Sequence, residues 1–143
     1  MKYLQYISAS ILLLFAPIYG LLVAVAAAII LDTFTGIFKS IKLNGFKSIR
    51  SRKLSNIVSK MLLYEVCILF LFLIDKYLLN EFIKEAFGFE LMFTKICAIV
   101  LIFIELVSIK ENVEDAFKIE IWPMIKNLLS RAKEFKSDID DIK

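Results

Sequence analysis

The sequence IYGLLVAVAAAIILDTFTGIF, residues Ile18–Phe38, is the stretch that decides the fold. Asp32 is the one charged residue of this stretch. The stretch is long enough to cross a bilayer as a helix, which takes about 20 apolar residues. The whole chain shares this character, since 59% of its 143 residues are hydrophobic and the mean hydropathy is +0.75. Soluble domains are roughly 45–50% apolar. The sequence therefore predicts an all-α integral membrane protein.

Two later blocks have the length of a span. They cover about residues 57–79 and about residues 91–109. The transmembrane domain then comprises residues 1–112, and residues 113–143 form a cytoplasmic joint and a last helix. Three spans account for all of the long apolar blocks after Pro17.

A shorter apolar block, Tyr3–Phe15, precedes the first span. Because Pro17 interrupts the apolar run, we expect a separate N-terminal helix that is too short to cross alone and lies at the interface or re-enters the membrane. Two alternatives stay open. One is a cleaved signal peptide, since Lys2 precedes the apolar run, and the other is a fourth span.

Charge in the connections predicts the orientation. The connection Lys39–Lys53 has six basic residues and no acid, and it contains the turn signal Asn44-Gly45. By the positive-inside rule, this connection is cytoplasmic. The connection Asn80–Glu90 leans acidic, which suits the outer side. We therefore predict an N-terminus outside and a C-terminus in the cytoplasm.

Polar residues within the spans need partners, because a charge at membrane depth costs several kcal/mol unless it is paired or hydrated. On the first span four such positions share one helical face at intervals of three and four residues: Asp32, Thr35, Gly36 and Lys39. On the second span Lys60 and Glu65 are five residues apart. They do not face each other, so each needs another helix, water or the interface.

The third span carries a stripe of small and polar residues, a pattern that membrane helices use to meet each other or to line water. Its members are Thr94, Ala98, Glu105, Ser108 and Asn112. Glu105 needs the most explanation, and three interpretations are open. In the first, Glu105 forms an ion pair or hydrogen bond between helices of one copy. In the second, it faces an aqueous lumen formed by several copies. In the third, its side chain extends (snorkels) to the membrane interface.

After the third span, a polar joint at Lys110–Ile121 precedes a helix that opens at Trp122-Pro123. The helix carries a heptad seam, and we predict that it mediates self-association; its positions are Ile121, Ile125, Leu128, Ala132, Phe135 and Ile139. The alternative is binding to the membrane surface, which the basic front half of the helix favours. The acidic end of the chain favours water.

Several classes of chemistry lack their usual residues. There is no histidine, the commonest general base and metal ligand. Cys67 and Cys97 lie in apolar blocks without metal or redox spacing, so we interpret them as packing residues. The basic residues do not form a patch for nucleic acid. We predict no catalytic residue, no metal site, no cofactor and no nucleic-acid partner.

Four segments, in matching order along the chain, resemble those of a known family. Leu31–Ser40, LDTFTGIFKS, resembles the D-x-x-TG-x-x-K/A signature that ends the first span in the toxin-secretion/phage-lysis holin family. The run Ser51-Arg52-Lys53 with Lys60 is similar to the approach to that family's second span. Glu105–Asn112, ELVSIKEN, is similar to the E-x-x-SI-x-EN signature closing the third span, and Ile119–Pro123 has a counterpart before the tail. Where the family often has glycine, this chain has Phe117 or Lys118.

The resemblance implies a phage or prophage protein of the bacterial cytoplasmic membrane. Such proteins oligomerise and permeabilise the lipid bilayer, so that an endolysin or a toxin can cross and the host cell lyses. Two other functions fit the residues alone. One is a non-lytic adaptor that recruits a partner through its last helix, and the other is a small channel or transporter subunit gated by Glu105 with Lys60 or Lys95.

Overall fold

A computed structural model describes residues 2–46 and 51–141, and this part of the chain consists of helices and short turns. The all-α prediction is confirmed. The α-helices are α1 (Lys2–Phe15), α2 (Tyr19–Asn44), α3 (Ser51–Ile74), α4 (Asn80–Phe87), α5 (Met92–Phe117) and α6 (Ile121–Asp141).

Three helical segments are long and apolar enough to cross a membrane: Leu12–Asn44, Ser55–Phe87 and Met92–Phe117. In the most apolar 18-residue stretch of each segment, only 22%, 11% and 17% of the residues, respectively, are buried inside the chain. Large apolar side chains such as Phe34, Phe70 and Phe103 instead point outward. Since an apolar surface of this extent is not stable in water, these faces are lipid-facing, and the prediction of three spans is confirmed.

The break at Pro17 is confirmed as a turn of 3-10 helix over Ala16–Ile18, between α1 and α2. Proline fixes its own backbone and lacks an N–H, so regular helix does not continue through it. Phe15, the last residue of α1, packs its ring 5.8 Å from that of Phe72 on α3. An interfacial or re-entrant placement of α1 stays a prediction.

At the other end, α2 runs past the predicted limit at Phe38 as far as Asn44. The turn at Asn44-Gly45 is confirmed. Gly45 has a φ of +76°, which favours glycine, and its N–H donates to the Ile41 carbonyl at 2.8 Å. Two basic residues of the predicted cytoplasmic connection, Lys47 and Arg50, lie outside the described residues.

The predicted connection Asn80–Glu90 is wrong over most of its length. The helix α3 passes through a π-helical turn at Asp75–Leu79 and continues as α4. The charged residues of this segment are good helix formers, and the buried Ile83 anchors it. The segment ends at Gly88, whose φ is +71° and whose N–H donates to the Lys84 carbonyl.

The predicted joint Lys110–Ile121 is also mostly helical, because α5 continues to Phe117. A hydrogen-bonded ion pair one turn apart, Lys110–Glu114 at 2.8 Å, supports this extension. The joint is therefore limited to residues 118–120. Lys118 has a φ of +53°, a backbone conformation in which glycine is the usual residue.

The spans form an up-down-up bundle in which α2 and α5 run parallel and make the most extensive contact. The helix α3 runs antiparallel to both and packs against each. Small and branched side chains fill the interior on the Pro17 side of the bundle; the buried core consists of Ile18, Val25, Ile29, Ile68, Phe72 and Ala98.

Cys67 and Cys97 test the register of α3 against α5. Their sulfur atoms are 3.8 Å apart on adjacent helices. We expect copper-phenanthroline oxidation of the purified protein to join them within one chain, measured as the loss of two hydrogen masses on a monomer. The control is Cys97→Ser with Ile99→Cys, which moves the thiol to a neighbouring, outward-facing position. Equal intrachain bonding in the control would contradict this register.

Candidate functional site: a polar cluster between the spans

One lysine joins all three spans. Lys60 of α3 donates from Nζ to Asp32 Oδ2 of α2 at 3.2 Å and to Glu105 Oε2 of α5 at 2.7 Å. Asn112 Nδ2 of α5 donates to the other Asp32 oxygen, Oδ1, at 3.1 Å. We call these four residues, Asp32, Lys60, Glu105 and Asn112, the Lys60 cluster.

Close helix approach places Asn112 against α2. An added Cβ at Gly36 would lie 3.4 Å from Asn112 Nδ2, so the absence of a side chain there leaves room for the amide. Thr35 Oγ1 lies 3.5 Å from the same nitrogen and donates to the Asp32 carbonyl at 2.9 Å. The face predicted on the first span is thus directed at the third span.

The Lys60 cluster lies deep within the helical bundle. Glu105 is near the midpoint of α5, about 20 Å from Met92 at 1.5 Å per residue. The side chain of Glu105 is fully buried, that of Asp32 is 14% exposed and that of Lys60 is 37% exposed. Lys60 is therefore the exposed edge of the cluster, and a lysine can keep its ammonium hydrated while its stem lies along apolar surface.

The charges of the Lys60 cluster do not balance. With all groups ionised, two carboxylates face one ammonium and the cluster carries a net charge of −1. Asp32 has hydrogen-bond donors on both oxygens, whereas Glu105 Oε1 is buried without a hydrogen-bond partner among the described residues. A buried carboxylate oxygen without a donor is costly. The arrangement is therefore held by Lys60 and depends on it.

An open-sided cavity of about 230 Å³ adjoins the cluster. Its lining mixes polar groups of all three spans, and its residues include Asp32, Gly36, Asn56, Lys60, Ser108 and Asn112. Such a cavity is large enough and polar enough to hold water. The stripe predicted on the third span therefore faces a polar space inside the bundle at Ser108 and Asn112.

The structure brings together seven of the residues predicted from the sequence. They are Asp32, Thr35, Gly36, Lys60, Glu105, Ser108 and Asn112. Lys39 lies farther along α2 and pairs with Asp115. In this single chain Glu105 makes an ion pair between helices, which is the first of the three interpretations given above.

Two other predicted residues lie away from the Lys60 cluster. Glu65 is half-buried on α3 and makes no hydrogen bond or ion pair within residues 2–46 and 51–141. Thr94 is fully buried at the opposite end of the bundle. Of the predicted seam on α6, Ile121 is half-buried and Ile125, Leu128 and Ala132 are exposed. The side chains of Phe135 and Ile139 lie outside the described part of the chain.

Asp75 is a structural residue for which the sequence predicted no role. Its Oδ2 accepts hydrogen bonds from both the N–H and the Oγ1 of Thr94, each at 2.6 Å. Thr94 lies in the first turn of α5, whose own preceding residue, Leu91, provides no side-chain cap. Asp75 therefore caps α5 from another helix. A signal that could have identified it is the helix-forming sequence after Leu79, which places Asp75 inside a continuous helical segment.

Removing Lys60 should destabilise the bundle. We expect Lys60→Met to lower the free energy of unfolding by about 1–3 kcal/mol, because the carboxylates of Asp32 and Glu105 both lose the hydrogen bond from Lys60. Unfolding in mixed micelles, followed by circular dichroism, measures this. Lys95→Met, at an exposed lysine of α5, is the control.

The double variant Lys60→Met, Glu105→Leu should be more stable than Lys60→Met alone. Replacing Glu105 as well as Lys60 by an apolar group removes the buried, unpaired charge of Glu105, and Asp32 retains Asn112 as a donor. Additive losses from the two substitutions would contradict the coupling of Lys60 to Glu105.

Removing the helix cap that Asp75 provides should also destabilise the protein. Asp75→Ala should lower the free energy of unfolding by about 0.5–2 kcal/mol, the range measured for other helix caps. The same unfolding assay applies, with Glu81→Ala on the exposed side of α4 as the control. An equal effect of the two substitutions would remove the capping role.

Comparison with known proteins identifies the family of this chain. A family model described as the bacteriophage holin family matches residues 9–134, which span α2, α3 and α5 and therefore the whole Lys60 cluster. No curated protein and no solved structure matches the chain. The resemblance drawn from the motifs around Asp32 and Glu105 is confirmed, and this chain belongs to the bacteriophage holin family.

Proposed function

We propose that this protein oligomerises in the bacterial cytoplasmic membrane and permeabilises it, so that an endolysin or a toxin crosses and the host cell lyses. Membership of the bacteriophage holin family supports a holin-like membrane protein, and we propose that it acts without enzymatic activity. The observation that carries the proposal further is the Lys60 cluster, a set of charged groups that joins the three apolar helices and opens on a polar cavity.

The Lys60 cluster supports a change of state. In one chain, three helices supply the partners that its polar groups need. If the helices separate, these groups face either lipid, which is costly, or water. Several copies that turn their cluster faces to one another would replace lipid by a shared aqueous space. We propose that permeabilisation is this exchange of intrachain partners for water between copies.

The outer surface of the bundle supports accumulation in lipid. Large apolar side chains of α2, α3 and α5 remain exposed in the single chain, among them Phe34, Val58, Phe70 and Phe103. Contacts between copies can form on these faces before the cluster opens. We propose an N-terminus outside and a C-terminus in the cytoplasm, an orientation supported by the basic residues between α2 and α3.

Timing and leak size test the proposal. Regulated expression in bacteria should collapse the membrane potential abruptly after a delay, and purified protein should release dyes over a wide size range from liposomes. Steady growth at high membrane levels of the protein would contradict lysis. Graded, ion-selective conductance would indicate a channel subunit instead.

Substitutions in the Lys60 cluster link the activity to the site. We expect Glu105→Leu and Asp32→Leu to shift the onset of lysis more than Lys76→Leu does, because Lys76 lies at the other end of α3 and contacts Phe72 and Tyr77 rather than the cluster. Membrane levels of each variant are matched by immunoblot. Equal shifts from all three substitutions would remove the special role of the cluster.

A further inference from the structure

The last helix, α6, presents an apolar face that nothing in the described chain covers. Trp122, Met124, Leu128 and Leu129 are each more than half exposed. No extensive contact joins α6 to another described helix. The start of α6 is nevertheless fixed to the bundle, because Glu114 Oε1 of α5 accepts the Ile121 N–H at 2.8 Å. An exposed face on an anchored helix needs a partner close to the end of α5.

The end of α5 lies near the membrane surface. Its 26 residues extend about 39 Å at 1.5 Å per residue, close to the total thickness of a bilayer with its headgroups, about 40–45 Å. The joint of residues 118–120 is short. The helix α6 therefore starts at the level of the lipid headgroups.

Charges on α6 are arranged around its apolar face. At 3.6 residues per turn, Lys126 and Lys133 follow one border of that face and Arg131 follows the other. The opposite side of the helix is uncharged or acidic, and it carries Asn127, Ser130 and Glu134. Basic residues at both borders place their stems along the lipid while the charged ends reach phosphate groups.

We propose that residues 121–134 of α6 bind the surface of the same membrane, with the apolar face in the headgroup boundary and Lys126, Arg131 and Lys133 on anionic phospholipid. The border position of the basic residues favours lipid over a second copy of α6, since in a paired helix like charges on both borders would approach their counterparts. This binding is independent of whether the protein permeabilises the membrane.

Trp122, the single tryptophan of the chain, allows a direct test in the full-length protein. With Trp122→Phe, a new tryptophan is introduced either on the apolar face, by Leu128→Trp, or on the polar face, by Ser130→Trp. Each variant is placed in nanodiscs of phosphatidylcholine with or without phosphatidylglycerol, and brominated acyl chains quench any indole that enters the bilayer.

We expect at least twofold stronger bromolipid quenching of the Leu128→Trp probe than of the Ser130→Trp probe, with the difference increasing when phosphatidylglycerol is present. Replacing Lys126, Arg131 and Lys133 by glutamine should remove the increase, whereas Glu134→Gln should not. Equal quenching of the two probes would overturn the proposal. Protection of the Leu128→Trp probe from aqueous acrylamide without bromolipid quenching would also overturn it and would instead support the predicted self-association of α6.

Discussion

The ammonium group of Lys60 on α3 connects the three spans of this bundle at the Lys60 cluster. Lys60 reaches a carboxylate on each of the two other spans, and no apolar contact could specify that pairing. In lipid the hydrophobic effect does not drive helices together, so packing and polar contacts decide which faces meet. The positions of Asp32, Gly36 and Asn112 follow from this constraint, because α2 and α5 must approach closely enough to share one lysine.

The remaining packing is consistent with the same constraint. Towards the other end of the bundle, apolar residues such as Ile29 and Ile68 form the core, and Asp75 caps α5 from the π-helical turn that follows α3. Each end of the bundle therefore has its own polar connection across helices. Between and around them, most of the apolar surface faces outward. A few internal polar contacts thus specify how the helices pair, and lipid surrounds the outward-facing apolar surface.

Much of this architecture could be predicted from the sequence, because apolar length and charge position are strong signals in membrane proteins. The three spans, the turn at Asn44-Gly45 and the polar faces around Asp32 and Glu105 were predicted. Helix ends were not, since a polar residue beyond a span can still be helical, as Lys110 and Glu81 are. Two features depend on how separate helices pack: the pairing of Lys60 with both carboxylates and the role of Asp75. The spacing of residues along one helix gives no information on that packing.

The proposed permeabilisation requires that the interior stripe of α5 becomes exposed to water. The most direct measurement compares neighbouring thiols in a Cys67→Ser, Cys97→Ser background. Ala98→Cys lies on the stripe, where the residue is fully buried, and Ile99→Cys lies on the lipid-facing side, 64% exposed. A membrane-impermeant thiol reagent is supplied to both faces of the membrane before and after the onset of leakage. We expect Ala98→Cys to react only after the onset of leakage and Ile99→Cys to react at neither stage. An Ala98→Cys thiol that stays protected in leaking membranes would contradict the exposure of the stripe to water.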